Sequence, residues 1–147
     1  MGATGSESRT AIDARTVKTW SDEGVIEYLG ATLDVRPFIA AADCVVLPSY
    51  REGAPRTLIE AAAMARPLIA TDVPGCRSII DDGVTGFLCK VRDADALASA
   101  CLRFRDLSRD TQIAMGLAGR AKMEREFGEA IVIAAYRDAL AQVTAGN

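Results

Sequence analysis

Three short apolar runs, Asp43-Cys44-Val45-Val46-Leu47, Pro67-Leu68-Ile69-Ala70-Thr71 and Gly86-Phe87-Leu88-Cys89, recur along the chain, each followed by a segment long enough for a helix. A fourth, Val25-Ile26-Glu27-Tyr28-Leu29, precedes them and ends at Gly30. Runs this short, rich in β-branched and aromatic residues and bounded by Gly or Pro, read as strands. Alternation of such strands with helices is the signature of parallel βαβ units, with helices on both faces of one sheet. The expected fold class is therefore α/β. In such sheets ligands bind beyond the carboxyl ends of the strands.

The helices are expected at 11–23, 34–42, 55–65, 76–80, 93–105, 108–126 and from 128 to about 143. Ile12, Val17 and Trp20 anchor the first, and Gly24 supplies its stop. Asp34 is the cap candidate of the second, which tolerates Pro37 only in its first turn. Asp93 and Ser108 are placed as N-caps. Turns are expected at Asp72-Val73-Pro74-Gly75 and Asp81-Asp82-Gly83. Trp20 and Tyr28 could stack on a base, but their spacing favours packing in a core. Phe127, Ile131, Ala134 and Ala135 follow helical spacing and suggest a last helix with one buried face.

The chain of 147 residues is half apolar, which is enough for one packed core. Its 17 basic and 20 acidic residues are interspersed, without the basic block that nucleic-acid binding needs, so nucleic acid is not an expected partner. Cys44, Cys76, Cys89 and Cys101 show no Cys-x-x-Cys spacing and the chain has no histidine, so no metal site is expected. Cys44 and Cys89 fall within apolar runs, as buried reduced thiols do, and point to a reducing cytosol. No stretch has the length and apolarity of a membrane span or of a secretory leader, so a soluble, cytoplasmic protein is expected. Met1 to Ser6 matches the short N-myristoylation pattern, which recurs often by chance.

After Leu47 comes Ser49-Tyr50-Arg51-Glu52-Gly53-Ala54-Pro55-Arg56-Thr57-Leu58-Ile59-Glu60, with seven residues between its two glutamates. Pro55 suits the first helical position, which puts Ala54 at the cap. Alanine has no side-chain oxygen, so the N–H groups of Arg56, Thr57 and Leu58 are left for a ligand in the positive field of the helix end. A phosphate suits such a place, Gly53 lets it approach closely, and the Thr57 hydroxyl adds a donor. Glu52 would face the group attached to that phosphate. Glu60, one turn deeper, can accept hydrogen bonds from a vicinal diol such as a ribose. A second reading needs no ligand: Arg56 and Glu60 form an i,i+4 surface pair of the weaker Arg-before-Glu order, contributing about 0.2–0.5 kcal/mol. Spacing by itself favours this second reading, because two glutamates so spaced are common in a charged chain.

The surroundings extend the pattern. Leu29-Gly30, Ala42-Asp43-Cys44-Val45-Val46-Leu47-Pro48-Ser49, Arg51-Glu52-Gly53-Ala54-Pro55, Leu58-Ile59-Glu60-Ala61, Arg66-Pro67, Thr71-Asp72-Val73-Pro74-Gly75-Cys76-Arg77 and Asp82-Gly83-Val84-Thr85-Gly86-Phe87-Leu88 follow one another in a fixed order. In this, residues 25 to about 136 resemble the C-terminal, donor-binding half of the family 4 retaining glycosyltransferases, which have the two-domain GT-B fold. The resemblance implies a Rossmann-like, nucleotide-sugar-binding domain over 25–147, preceded by a polar lead and helix over 1–24.

It further implies that Glu52 contacts the donor sugar as the catalytic positioning residue. Gly53, Ala54, Pro55, Arg56 and Thr57 would cradle the pyrophosphate, and Glu60 would bind the ribose. Gly30, Ala31 and Thr32 would form the edge where the base rests. The substrate would be a UDP- or GDP-linked sugar, handled without a cofactor or metal, and the acceptor a glycan or a lipid-linked sugar at the inner face of the membrane. Two residues depart from the family pattern: Ser78 replaces an acidic residue and Ala65 replaces a glycine, and both departures read as structural.

The family's donor domain opens with further strands and a basic pyrophosphate-gripping residue that are not found before Met1, and its acceptor-binding N-terminal half is likewise not found. An N-terminally truncated domain is expected on this basis, one that pairs its strands differently, associates through exposed strand edges or with the missing half, or is marginally stable. Two alternatives to a transferase remain: a non-catalytic nucleotide-sugar-binding or assembly module, and a sugar-nucleotide epimerase of the same fold. The latter would need acid and base residues that a chain without histidine does not readily supply.

Overall fold

The computed structural model describes residues 12–145. The Met1 to Ser6 pattern and Ala11 lie outside the described residues. The chain divides into two compact units, one reaching to Pro37 and the other running from Phe38 onwards.

In the first unit, helix α1 (Ala14–Asp22) starts where Asp13 accepts a hydrogen bond from the Thr16 N–H at 2.8 Å, and it is followed by Gly24 at φ +71°. Val25–Leu29 does not form the expected strand. A strand needs a ladder partner, and the Val25 and Ile26 N–H groups instead turn back onto the Trp20 carbonyl at 2.9 and 3.3 Å. Trp20 and Tyr28 are 38% and 40% exposed rather than core residues, and α1, which carries Trp20, buries no side chain among the described residues. Helix α2 (Arg36–Ala41) begins, as expected, where the Asp34 carboxylate accepts from the Arg36 N–H at 3.0 Å.

The second unit holds the sheet. Strands β1 (Val45–Leu47), β2 (Leu68–Thr71) and β3 (Gly86–Cys89) are all parallel, in the order β1-β2-β3. Ile69 sits opposite both Val46 and Phe87. The central strand β2 is buried along its whole length, as its apolar Leu68-Ile69-Ala70 run suits, with Thr71 buried at its end. β1 is an edge strand in this sheet, and Val46 on it is 42% exposed.

Helices α3 (Arg56–Ala63) and α4 (Pro74–Arg77) are the crossovers, and α5 (Ala94–Arg105) and α6 (Arg109–Glu126) follow the last strand. Side chains alternate across a strand. Ile69, Phe87 and Cys89 therefore share one face, where they pack with Ala100 and Phe104 of α5 and Met115 of α6. Leu68 and Ala70 point the other way, and Leu58, Ala61 and Ala62 are the buried residues of α3, which contacts β1 and β2. Asp93 and Ser108 cap α5 and α6 as the sequence predicts, accepting from the Ala96 and Thr111 N–H groups at 2.9 and 3.2 Å.

Two helices tighten around backbone contacts. A Cβ at Gly116 of α6 would come within 2.1 Å of the Ala65 carbonyl oxygen, so α6 passes the end of α3 at a distance only glycine permits. Ala65 itself holds φ +55°, a left-handed conformation, at the position where the resemblance has glycine. In helix α7 (Glu129–Ala145) none of the described side chains is buried: Ile131 is 44% exposed and Ala134 is exposed, and the side chain of Ala135 lies outside the described ones.

Candidate functional site

β1 delivers the chain to the carboxyl end of the sheet at Leu47, and the following loop carries the two-glutamate motif into α3. Thr71 at the end of β2 donates its hydroxyl to the Ser49 carbonyl and so ties the loop to the neighbouring strand. Further on, the Glu52–Gly53 peptide rests against Gly75, where a Cβ would lie 2.3 Å from the Gly53 oxygen and 2.5 Å from the Glu52 oxygen. The floor under Glu52 is thus the first turn of α4, which takes up Pro74 and Gly75 of the expected turn and starts two residues before the expected helix at 76. Ser78 closes the next turn by donating its hydroxyl to the Gly75 carbonyl at 2.9 Å, which gives this departure a structural role. Gly75 was visible in the sequence as part of a turn, but its contact with Glu52 spans 23 positions and leaves no local signal.

The start of α3 differs by one residue from the sequence expectation. Pro55, not Ala54, is the N-cap, in extended conformation with φ −69° and ψ 109°, and it has no side chain to cap the helix. Its carbonyl accepts from both the Leu58 and Ile59 N–H groups, at 3.0 and 3.2 Å. Leu58 is consequently removed from the expected set of free donors. Among the described residues the N–H groups of Arg56 and Thr57 have no hydrogen-bond partner, and they point along the positive end of the helix dipole. Arg56, Thr57, Gly53 and Ala54 are exposed, Glu52 and Glu60 half-buried, and Pro55 buried.

Glu60 is within 3.3 Å of the Arg56 guanidinium, so the surface pair considered from the sequence does form. Arg56 is 90% exposed, and such a pair is worth about 0.3–0.5 kcal/mol, little enough for a ligand to displace it. Burial pushes the Cys76 thiol up, with the nearby Glu52 carboxylate adding to the effect. Cys89 is raised mainly by burial, and Cys44 is pushed up to about 12 by burial, with Cys101 and Asp43 adding charge repulsion. These are packing thiols rather than nucleophiles.

The structure thus brings Glu52, Gly53, Ala54, Pro55, Arg56, Thr57 and Glu60 together on one loop and one helix turn. Gly30, Ala31 and Thr32 belong to the first unit, where Gly30 has φ +67° and the Thr32 hydroxyl donates to the Asp34 carbonyl at 3.1 Å. A separate cleft of about 160 Å³, lined by Asp43, Arg66, Arg109 and Gln112, lies at the amino end of the strands, away from the motif.

The family model of the glycosyl transferases group 1 matches residues 2–106. The chain belongs to this family. Among its relatives, an N,N'-diacetylbacillosaminyl-diphospho-undecaprenol alpha-1,3-N-acetylgalactosaminyltransferase of Campylobacter jejuni is 29% identical over 116 residues, covering 78% of this chain and 30% of the relative. Sucrose-phosphate synthase from Thermosynechococcus elongatus superposes with a TM-score of 0.82 at 24% identity, covering 99% of this chain and 38% of that one. The Anabaena protein HepE, solved in complex with UDP, superposes with a TM-score of 0.73 at 20% identity, covering 87% of this chain and 35% of its own. The α/β architecture expected from the resemblance is that of these GT-B neighbours. This group 1 chain spans about a third of the length of the relatives it matches.

Proposed function

We propose that the chain is the donor-binding part of a retaining glycosyltransferase. Its substrate is a nucleotide diphosphate sugar and its acceptor a glycan or lipid-linked sugar, in polysaccharide biosynthesis at the cytoplasmic face of a membrane. One arrangement carries the reading. Among the described residues two unpartnered N–H groups open α3, the Glu52 loop leads into them, and Glu60 lies one turn deeper in the helix.

In this assignment the diphosphate lies on the N–H groups of Arg56 and Thr57, and the helix dipole offsets the charge that grows as the bond between sugar and phosphate breaks. The acceptor hydroxyl attacks the anomeric carbon on the face from which the diphosphate departs and passes its proton to the departing phosphate oxygen, so configuration is retained. Glu52 holds the sugar and stabilises positive charge at the anomeric carbon. Glu60 exchanges its weak pair with Arg56 for the two ribose hydroxyls. The HepE complex with UDP supports a nucleotide as ligand, and the name of the Campylobacter relative supports a lipid-linked acceptor.

Calorimetry with UDP, GDP and ADP on the chain and on Glu60→Ala tests the reading. The variant should bind the preferred nucleotide roughly 10-fold more weakly, the scale of losing a charge-assisted hydrogen bond. Equal affinity in both proteins would remove the ribose role of Glu60. Binding of nucleotide with neither hydrolysis nor transfer of a donor sugar would favour a non-catalytic binding module.

A further inference from the structure

Arg92 follows β3 and holds φ +57°. A side chain with a Cβ adopts this conformation only at a cost, whereas glycine adopts it freely. The nearby helix cap Asp93 needs no such residue before it, so the local backbone gives no reason for an arginine. Strain at a chemically capable residue is a reason to ask what the residue does.

Its guanidinium lies 5.1 Å from the centroid of the Tyr50 ring. Tyr50 is on the loop after β1 and Arg92 on the loop after β3, and β2 runs between those strands. The contact therefore spans the carboxyl end of the central strand, on the side of the sheet where Glu52 lies two residues from Tyr50. A ring contact uses the π-face and leaves the guanidinium N–H groups available as donors.

Two of the nearby carboxylates are already engaged. Asp72 is paired with Arg77, and Asp93 with Lys90 at 3.4 Å while it also caps α5. Arg51 and Arg92 have no carboxylate partner among the described residues, and both are exposed. Tyr50 itself is 53% exposed.

We propose that Arg92, steered by Tyr50 and joined by Arg51, binds a phosphate group of a ligand seated beside Glu52. The proposal rests on the donor-site reading only in taking the carboxyl end of the sheet as the ligand side. Arginine suits the task because its planar fork matches phosphate geometry. Two sources can present that phosphate, the diphosphate of the donor nucleotide and the diphosphate of a lipid-linked acceptor.

The test is binding of inorganic pyrophosphate, UDP and farnesyl diphosphate to the full chain, to Arg92→Gly and to Arg92→Asn, alongside thermal unfolding of each. Glycine and asparagine both accept the left-handed backbone, so the variants should melt close to the parent while losing the cation. About a 10-fold loss of affinity for pyrophosphate and UDP assigns Arg92 to the donor diphosphate. A comparable loss for farnesyl diphosphate with UDP unchanged assigns it to the acceptor. Unchanged affinity for all three probes, or no binding of any by the parent, overturns the proposal. Pyrophosphate has no ribose, so Glu60→Ala should leave its affinity intact, and a failure of the Glu60 role is thereby told apart from a failure of this one.

Discussion

Gly75 lies so close beneath Gly53 that a Cβ on it would sit 2.3 Å from the Gly53 carbonyl oxygen. Backbone cannot yield as the end of a flexible side chain can, so Gly75→Ala must displace the loop that carries Glu52. Overpacking of this kind costs about 1–3 kcal/mol. We expect urea unfolding to show a loss in that range and calorimetry to show weaker nucleotide binding. Unaltered nucleotide binding by Gly75→Ala would show that the loop position does not matter to the site.

Gly116 and Gly119 on α6 separate two uses of glycine. At Gly116 an added Cβ would meet the Ala65 oxygen at 2.1 Å, but at Gly119 its nearest neighbour is the Ala62 Cβ at 3.8 Å, an ordinary contact. Gly116→Ala should therefore destabilise by about 1–3 kcal/mol through forced separation of α3 and α6. Gly119→Ala should instead stabilise by up to about 1 kcal/mol, because alanine is the better helix former. Equal unfolding midpoints for the two variants would contradict this difference in packing.

Ala65 carries a left-handed backbone that costs an alanine about 1–2 kcal/mol, offset in part because glycine is more flexible when unfolded. Ala65→Gly should raise stability by roughly 0.5–1 kcal/mol on balance. A fall in the urea midpoint would show that the methyl group packs well enough to outweigh the strain.

These glycines also mark how far the sequence could be read. β3 spans the same residues in sequence and structure, and the caps Asp93 and Ser108 lie where their side-chain chemistry placed them, because both signals are local. Val25–Leu29 has strand composition but no ladder, since pairing depends on a neighbour that composition does not specify. In the candidate site, the motif and its unpartnered helix start were legible to within one residue of the cap. The Gly75 floor and the Arg92–Tyr50 contact were not, as each joins positions far apart in the chain. The positive φ of Arg92 was equally invisible, since an arginine gives no hint of it.

Lys122 on α6 is 6% exposed and lies 2.5 Å from the Asp81 carboxylate, with Glu126 at 3.9 Å. Asp81 is half exposed, which lowers the worth of the pair below that of a fully buried one. Asp81→Asn, leaving the ammonium with a weaker acceptor, should cost about 1–2 kcal/mol. Lys122→Met combined with Asp81→Asn should cost less than the sum of the single changes, because no buried charge is left. Strict additivity in the double-mutant cycle would show that the two groups do not interact.

Asp93 supplies a pH dependence with a defined sign. Its carboxylate accepts the Ala96 N–H at 2.9 Å, and this bond, helped by Lys90 at 3.4 Å, holds its pKa below the ordinary value in the folded chain. A group whose pKa is lowered by folding contributes stability above its unfolded value of about 4 and loses it as pH falls through the lower folded value. The cap of α5 should therefore weaken on acidification below pH ~4. Asn caps a helix about as well as Asp without titrating in this range. Asp93→Asn should leave stability near pH 7 almost unchanged and remove part of the acid dependence of the unfolding midpoint. Identical acid profiles for the variant and the parent would show that Asp93 ionisation is not linked to folding.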